Sequence, residues 1–434
     1  MRTNLRPSSA QRTHAGAPAV PQPNIVALRR AVSSCLLWED EFYEDGVSIA
    51  KRIQDLASKV PVQDVAALAV ELRTQGNLRH VALWLVLSVI ERRLGAAFDT
   101  ASLIADVCIR ADEPGELLAL YWKDGRRPIP SAMRRGLGRA LTKFDAYQIG
   151  KYARDATVSL KDVVRLGHPK AANDDQSGVF KRLLDGTLES PDTWEVGLSS
   201  GQDKRAVFER LLTEDRMGYL ALLRNLRKMV EVGVDVALIR NAIVARKGAR
   251  TVLPFRYVAA ARAAPQFEPW LDASLCTSVE EMPILEGETI VLVDVSHSMN
   301  APLSAKSDLT RMDAAATLAS IVHGNVRFFT FSAEVVEVPA RRGMAGVDAI
   351  KKSQKHQNTY LGKAVEMVNR LPHDRLIVIT DEQSHDPVGN AKAKHAYMVN
   401  VASADRAVGY GKWTRISGFS ENVLQWIHAV ERQD

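Results

Sequence analysis

The run Glu288-Thr289-Ile290-Val291-Leu292-Val293 ends in Asp294-Val295-Ser296-His297-Ser298, a D-x-S-x-S loop at the end of an apolar stretch. Such a stretch reads as a parallel strand buried in a sheet. Alternate residues of an extended segment share a side, so one carboxylate and two hydroxyl oxygens come together there. Hard oxygen donors of this kind suit a divalent cation, Mg²⁺ or Mn²⁺. Alone, the motif is equally a strand-to-helix turn in which Asp and Ser cap a helix. Its partners lie downstream: Thr359 precedes the helical pattern of residues 360–370, and Asp381 ends the apolar run Arg375-Leu376-Ile377-Val378-Ile379-Thr380. The predicted metal set is Asp294, Ser296, Ser298, Thr359 and Asp381.

This order of residues resembles the metal-ion-dependent adhesion site of von Willebrand factor A domains, over residues 285–434. His297, and Gln357-Asn358 before Thr359, depart from the common pattern without removing a ligand. The resemblance implies a doubly wound α/β sheet, in which ligands sit outside the carboxyl ends of the strands. The remaining pattern fits: an amphipathic stretch over 309–323, strands over 326–331 and 396–401, and a closing helix over 421–431.

A chain of 434 residues, 46% hydrophobic and 25% charged, has the balance of a soluble protein of more than one domain. Its charge is uneven. Residues 1–265 hold 40 of the 57 basic and 30 of the 51 acidic side chains, leaving 17 and 21 for the rest. Any polyanion is therefore expected on the N-terminal part. Cys35, Cys108 and Cys276 have no C-x-x-C spacing, which argues against a disulfide framework or zinc ribbon and fits a reducing, cytoplasmic setting. Residues 1–23, rich in Ser, Ala, Gln and Pro, read as a flexible arm. No segment reads as a membrane span, the apolar run over 81–90 being too short.

Residues 24–265 carry helical periodicity almost throughout, as in Val65, Leu68, Ala69 and Leu72, or Leu222, Leu226, Met229 and Val230. Residues 266–284 read as a linker. One window of the helical region is cationic: Lys123, Arg126, Arg127, Arg134, Arg135, Arg139, Lys143, Lys151, Arg154, Lys161, Arg165, His168 and Lys170. Cations along consecutive helices can follow successive phosphates. Tyr121, Trp122, Phe144, Tyr147 and Tyr152 offer either stacking surfaces for unpaired bases or ordinary core packing. Arg224, Arg227 and Lys228 form a second basic helix face, which is a nucleic-acid contact or simply solvated.

Residues 36–46 (LLWEDEFYEDG), 123–128 (KDGRRP), 164–170 (VRLGHPK), 222–229 (LLRNLRKM) and 253–257 (LPFRY) resemble the TROVE module. With the A-type domain behind it, the arrangement resembles the bacterial-type Ro ribonucleoprotein family. That resemblance implies a monomeric α-helical HEAT-like repeat ring followed by the α/β domain. It implies Y-like small noncoding RNA on a basic outer surface, including Lys151 and His168, with Arg154 nearby. It further implies single-stranded 3′ ends of misfolded RNAs in a central hole, where the 224–228 face is a candidate lining. A 3′-to-5′ exoribonuclease partner is implied, and no catalysis by the chain itself. Two other readings stay open: a metal-dependent protein-interaction adaptor, and a Mg²⁺-dependent nuclease with Glu382 or His385 as base.

Overall fold

The computed structural model describes residues 12–19, 23–33, 45–76, 78–153, 156–199, 201–252, 254–282, 284–302, 308–402, 408–409, 411–418 and 422–431. They form two compact units, one of residues 1–50 with 209–434 and one of residues 51–208. The TROVE-like segment 36–46 falls almost wholly outside the described residues, as does Arg154.

The 51–208 unit is helical. Helix Val62–Thr74 buries Val65, Leu68, Ala69 and Leu72 on one stripe, as their spacing predicts. Helix His80–Glu91 is buried from Val81 to Ile90, which makes it the unit's central element rather than a surface helix. Helices Ser131–Leu141 and Leu160–Gly167 approach until backbone meets backbone. A methyl on Gly138 would sit 2.5 Å from the carbonyl oxygen of Gly167. Only paired glycines allow that approach. The second of these helices starts at a capping box, Ser159 with Asp162, and ends at His168 in the left-handed conformation, φ 45°.

The other unit holds a six-stranded sheet: β1 (Ile284–Asp294), β2 (His323–Phe331), β3 (Val335–Val338), β4 (Arg375–Thr380), β5 (His395–Asn400) and β6 (Thr414–Ser417). Their order is β3-β2-β1-β4-β5-β6, all parallel except the β2–β3 pair. Strand alternation divides the core. Ile290, Leu292, Leu376, Val378, Ala396 and Met398 share one cluster with Leu361, Val365 and Val368 of helix Leu361–Val368. Val291, Val293, Ile377 and Ile379 are buried on the opposite face. Helix Arg311–Ser320, buried at every position, contacts β1 and β4.

Two sequence expectations take a different form. Residues 268–280 of the expected linker are a helix, with Leu271, Leu275 and Val279 buried. Asp272 in it accepts the Met344 amide at 2.7 Å. Part of the expected arm is also folded: an isolated bridge joins Arg12 to Pro18, and Thr13 and Ala17 are buried. The Ser- and Pro-rich composition of residues 1–23 hides one small apolar side chain and one hydroxyl that find buried partners. Among the described residues, no helix is long and apolar enough to cross a membrane.

Candidate functional site

The strand order changes direction between β1 and β4, the two strands that carry Asp294 and Asp381. A parallel sheet opens a crevice at such a switch point. Register sets Val293 beside Ile379, so the two carboxylates leave adjacent strand ends. Asp294, Ser296, Ser298, Thr359 and Asp381 are all buried, none more than 5% exposed. Asp294 Oδ1 accepts the Ser296 amide at 2.9 Å, and Oδ2 accepts the Thr380 hydroxyl at 2.6 Å. The hydroxyls of Ser296 and Ser298 lie 3.4 Å apart. Thr359 is tied to the loop that follows Asp381, its amide 3.1 Å from His385 Nδ1 and its carbonyl accepting the His385 amide at 2.8 Å.

Burial, then the neighbouring Asp381, pushes the Asp294 carboxyl above the usual carboxylate range. Asp381 Oδ1 accepts the Gln383 amide at 3.0 Å, whereas Oδ2 is buried with no hydrogen-bond partner. Two adjacent buried carboxylates and an orphaned acceptor form a site of unbalanced negative charge. A cation ligated by oxygen would balance it, so this donor set fits a divalent ion. Among the described residues no group of three His, Cys, Asp or Glu side chains gathers for a metal. Hydroxyls must therefore complete any coordination here. Thr380 was not among the residues singled out from sequence, although its place between Ile379 and Asp381 could have flagged it.

Glu382 and His385 are engaged rather than poised as bases. One Glu382 carboxylate oxygen pairs with Arg30, and the other accepts the amides of Val408 and Gly409 at 3.1 and 3.0 Å. His385 Nδ1 faces the Thr359 backbone.

The cationic window of the 51–208 unit separates into two groups. Lys123 pairs with Asp124 at 2.8 Å, Arg127 with Glu91, and Arg139 with Asp99 at 3.5 Å and the Ser102 hydroxyl at 2.6 Å. Lys143 donates to the Ala105 carbonyl. Arg126 lies over the Trp122 ring at 5.2 Å, and Lys151 over Tyr152 at 5.8 Å. By contrast, Arg134, Arg135, Arg165, His168 and Lys170 are exposed, with no ion pair or hydrogen bond from their side chains among the described residues. The Gly138–Gly167 contact brings the two helices that carry them together, and Pro169 Cα would lie 3.4 Å from a methyl on Gly138. Five exposed side chains able to carry positive charge thus lie on, or just beyond, two helices held in contact.

Of the aromatics, Tyr121 and Phe144 are buried and Tyr147 is 55% exposed. On the second basic face, Arg227 pairs with Asp308 at 3.0 Å and Lys228 with Glu231 at 2.8 Å. Arg224 is exposed there with no such pair among the described residues.

The TROVE domain family matches residues 186–252. Comparison with curated proteins gives no match. Among solved structures, the crystal structure of the Ro (RSR) protein of Deinococcus radiodurans is similar, with a TM-score of 0.61 and 16% identity. The likeness covers 92% of this chain and 97% of that one. The chain therefore shares the fold of that Ro structure, a helical region joined to a six-stranded α/β sheet, and the segment similar to the TROVE domain family lies within its helices.

Proposed function

We propose that the chain is a Ro-like RNA-binding scaffold. The observation that carries this reading is the set Arg134, Arg135, Arg165, His168 and Lys170, exposed and with no side-chain ion pair or hydrogen bond among the described residues, Arg165 feeling only the charge of Asp162 on its own helix. Cations already neutralised by a carboxylate gain little from a phosphate; unpaired ones gain the full counterion-release contribution. Their placement on two helices locked by a glycine contact fixes the spacing at which phosphates are met. Such a surface reads backbone shape rather than base sequence. Exposed Tyr147 shares a helix with Lys151, four residues on, which sets a stacking ring beside a cation for unpaired bases.

The ligand class that fits is a small structured noncoding RNA of the Y-like kind, with the single-stranded 3′ ends of misfolded RNAs as a second class. A scaffold of this kind presents RNA to a separate 3′-to-5′ exoribonuclease. In the sheet unit, Asp294, Ser296, Ser298, Thr359 and Asp381 would hold Mg²⁺ or Mn²⁺, directly or through water. The bound ion would supply a Lewis-acid position for a partner's carboxylate. The commitments of Glu382 and His385 speak against nuclease chemistry at that ion.

The test is the salt dependence of binding to a labelled structured RNA by Arg134→Ala/Arg135→Ala/Lys170→Ala and by the parent chain. Losing three phosphate contacts is expected to reduce the slope of log K against log salt by about 2 to 3. An unchanged slope would remove this surface from the RNA interface. The adaptor reading would gain if a chelator abolished capture of a protein partner while RNA binding stayed negligible.

A further inference from the structure

Asp381 stands at the head of a loop whose shape is set from three other parts of the chain. Its successor Glu382 is 1% exposed and left-handed, φ 59°, a conformation that L side chains rarely adopt. Such a residue persists only where its surroundings fix it. Its amide donates to Thr380 Oγ1 at 3.0 Å, and its carboxylate takes Arg30 and the two amides of residues 408 and 409. Arg30 belongs to helix Asn24–Ser33 and is 4% exposed.

The next two residues are held by the N-terminal turn. The Thr13 hydroxyl donates to the Ser384 carbonyl at 2.8 Å, and the Ala17 amide reaches the same oxygen at 3.3 Å. The His14 amide donates to Gln383 Oε1 at 2.9 Å. Gln383 passes the contact on: its amide donates to Asp381 Oδ1 at 3.0 Å and its side-chain nitrogen to Asp381 O at 3.3 Å. The turn is closed on itself by Gly16 N to Thr13 O at 3.1 Å and Thr13 N to Ala17 O at 2.9 Å. Gly16, at φ 100°, supplies the bend. Ala17 then anchors it, 1% exposed within the apolar cluster of the sheet.

We propose that residues 12–17 and Arg30 are a brace that positions the Asp381 carboxylate, and that docking of the brace and binding of a divalent cation favour one another. The second half rests on the cation reading above. The physical link is short. Displacing the turn frees Gln383, Gln383 sets the orientation of Asp381, and Asp381 carries the orphaned oxygen. Coupling between two sites is reciprocal, so whatever factor the brace contributes to cation affinity, the cation returns to brace docking.

The experiment uses the full chain with Thr13→Val, which removes the two hydrogen bonds of the Thr13 hydroxyl, to Ser384 O at 2.8 Å and from the Ala17 amide at 3.0 Å, and keeps the volume, and separately Ala17→Asp, which evicts the anchor. Amide hydrogen exchange of residues 381–385 is read without cation, and Mn²⁺ binding is read by titration calorimetry. In Ala17→Asp the Gln383 and His385 amides are expected to exchange at least about tenfold faster, while β1 and β4 amides keep their rates. Mn²⁺ affinity is expected to fall by a similar factor. Unchanged exchange at 383 and 385 in both variants overturns the brace. Faster exchange with unchanged Mn²⁺ affinity overturns the coupling. Should the parent chain bind no Mn²⁺, the cation reading and the coupling fail together, and the exchange data still decide whether the brace positions the loop.

Discussion

Replacing Gly138 by Ala sets two effects against each other. In the interior of helix Ser131–Leu141 the exchange favours the helix by up to about 1 kcal/mol, because alanine loses less backbone freedom on folding. The added methyl, however, would meet only backbone: Gly167 O at 2.5 Å, Gly167 C at 3.3 Å and Pro169 Cα at 3.4 Å. None of these atoms can rotate away, so helices 131–141 and 160–167 must part by roughly 1 Å, and overpacking of this kind costs about 1–3 kcal/mol. The net expectation is a loss of about 1–2 kcal/mol. Gly178→Ala is the matched control. It sits inside helix Asp174–Asp185, and its methyl would meet only the mobile tip of Arg182, Nη1 at 3.3 Å. That variant should gain about 0.5–1 kcal/mol. Urea unfolding followed by circular dichroism compares the two midpoints. A Gly138→Ala chain as stable as Gly178→Ala would refute the reasoning that backbone contact joins these helices.

Other outcomes follow from the same geometry. Burial raises the Asp313 carboxyl, but hydrogen bonds from Arg262 and Lys351 outweigh it and hold the group at about 2, against 3.8 unperturbed. A depressed carboxyl stabilises the fold above its unfolded value and loses that contribution as pH falls from about 4 towards 2. The amount is roughly 2 kcal/mol, and Asp313→Asn should flatten the acid limb of a stability-against-pH curve. At Asp294 the sign is opposite, since burial and Asp381 raise its carboxyl. Ionising it destabilises the cation-free chain, so the melting-temperature gain on adding Mn²⁺ should be larger at pH 8 than at pH 5.5. Asp294→Asn should abolish that gain, as differential scanning fluorimetry would show. Lys151→Ala combined with His168→Ala should weaken structured-RNA binding by at least about tenfold, measured by fluorescence anisotropy.

That Asp294 and Asp381 end adjacent strands was legible because buried parallel strands appear as apolar runs, and D-x-S-x-S and Asp381 sit where those runs stop. Strands β3 and β6, four residues each, leave too short a signature to separate from loop. The brace was not legible. Thr13 and Ser384 are 371 positions apart, and nothing in the spacing of Thr13, Gly16 and Ala17 names their partner. Charge composition likewise gave every cation of the 123–170 window equal standing. Only tertiary structure separates Arg127 and Arg139, paired across 36 and 40 positions, from Arg134 and Arg135. The Lys228–Glu231 pair, three residues apart on one helix, was open to reading from spacing.

The most direct test of the RNA-scaffold account is binding of the purified chain, freed of nucleic acid, to three labelled RNAs across a salt series. These are a duplex with a single-stranded 3′ tail, the same duplex blunt, and the tail alone. The account predicts tightest binding of the tailed duplex, a steep salt dependence, and no loss on adding chelator. Equal and feeble binding of all three at moderate salt would contradict it.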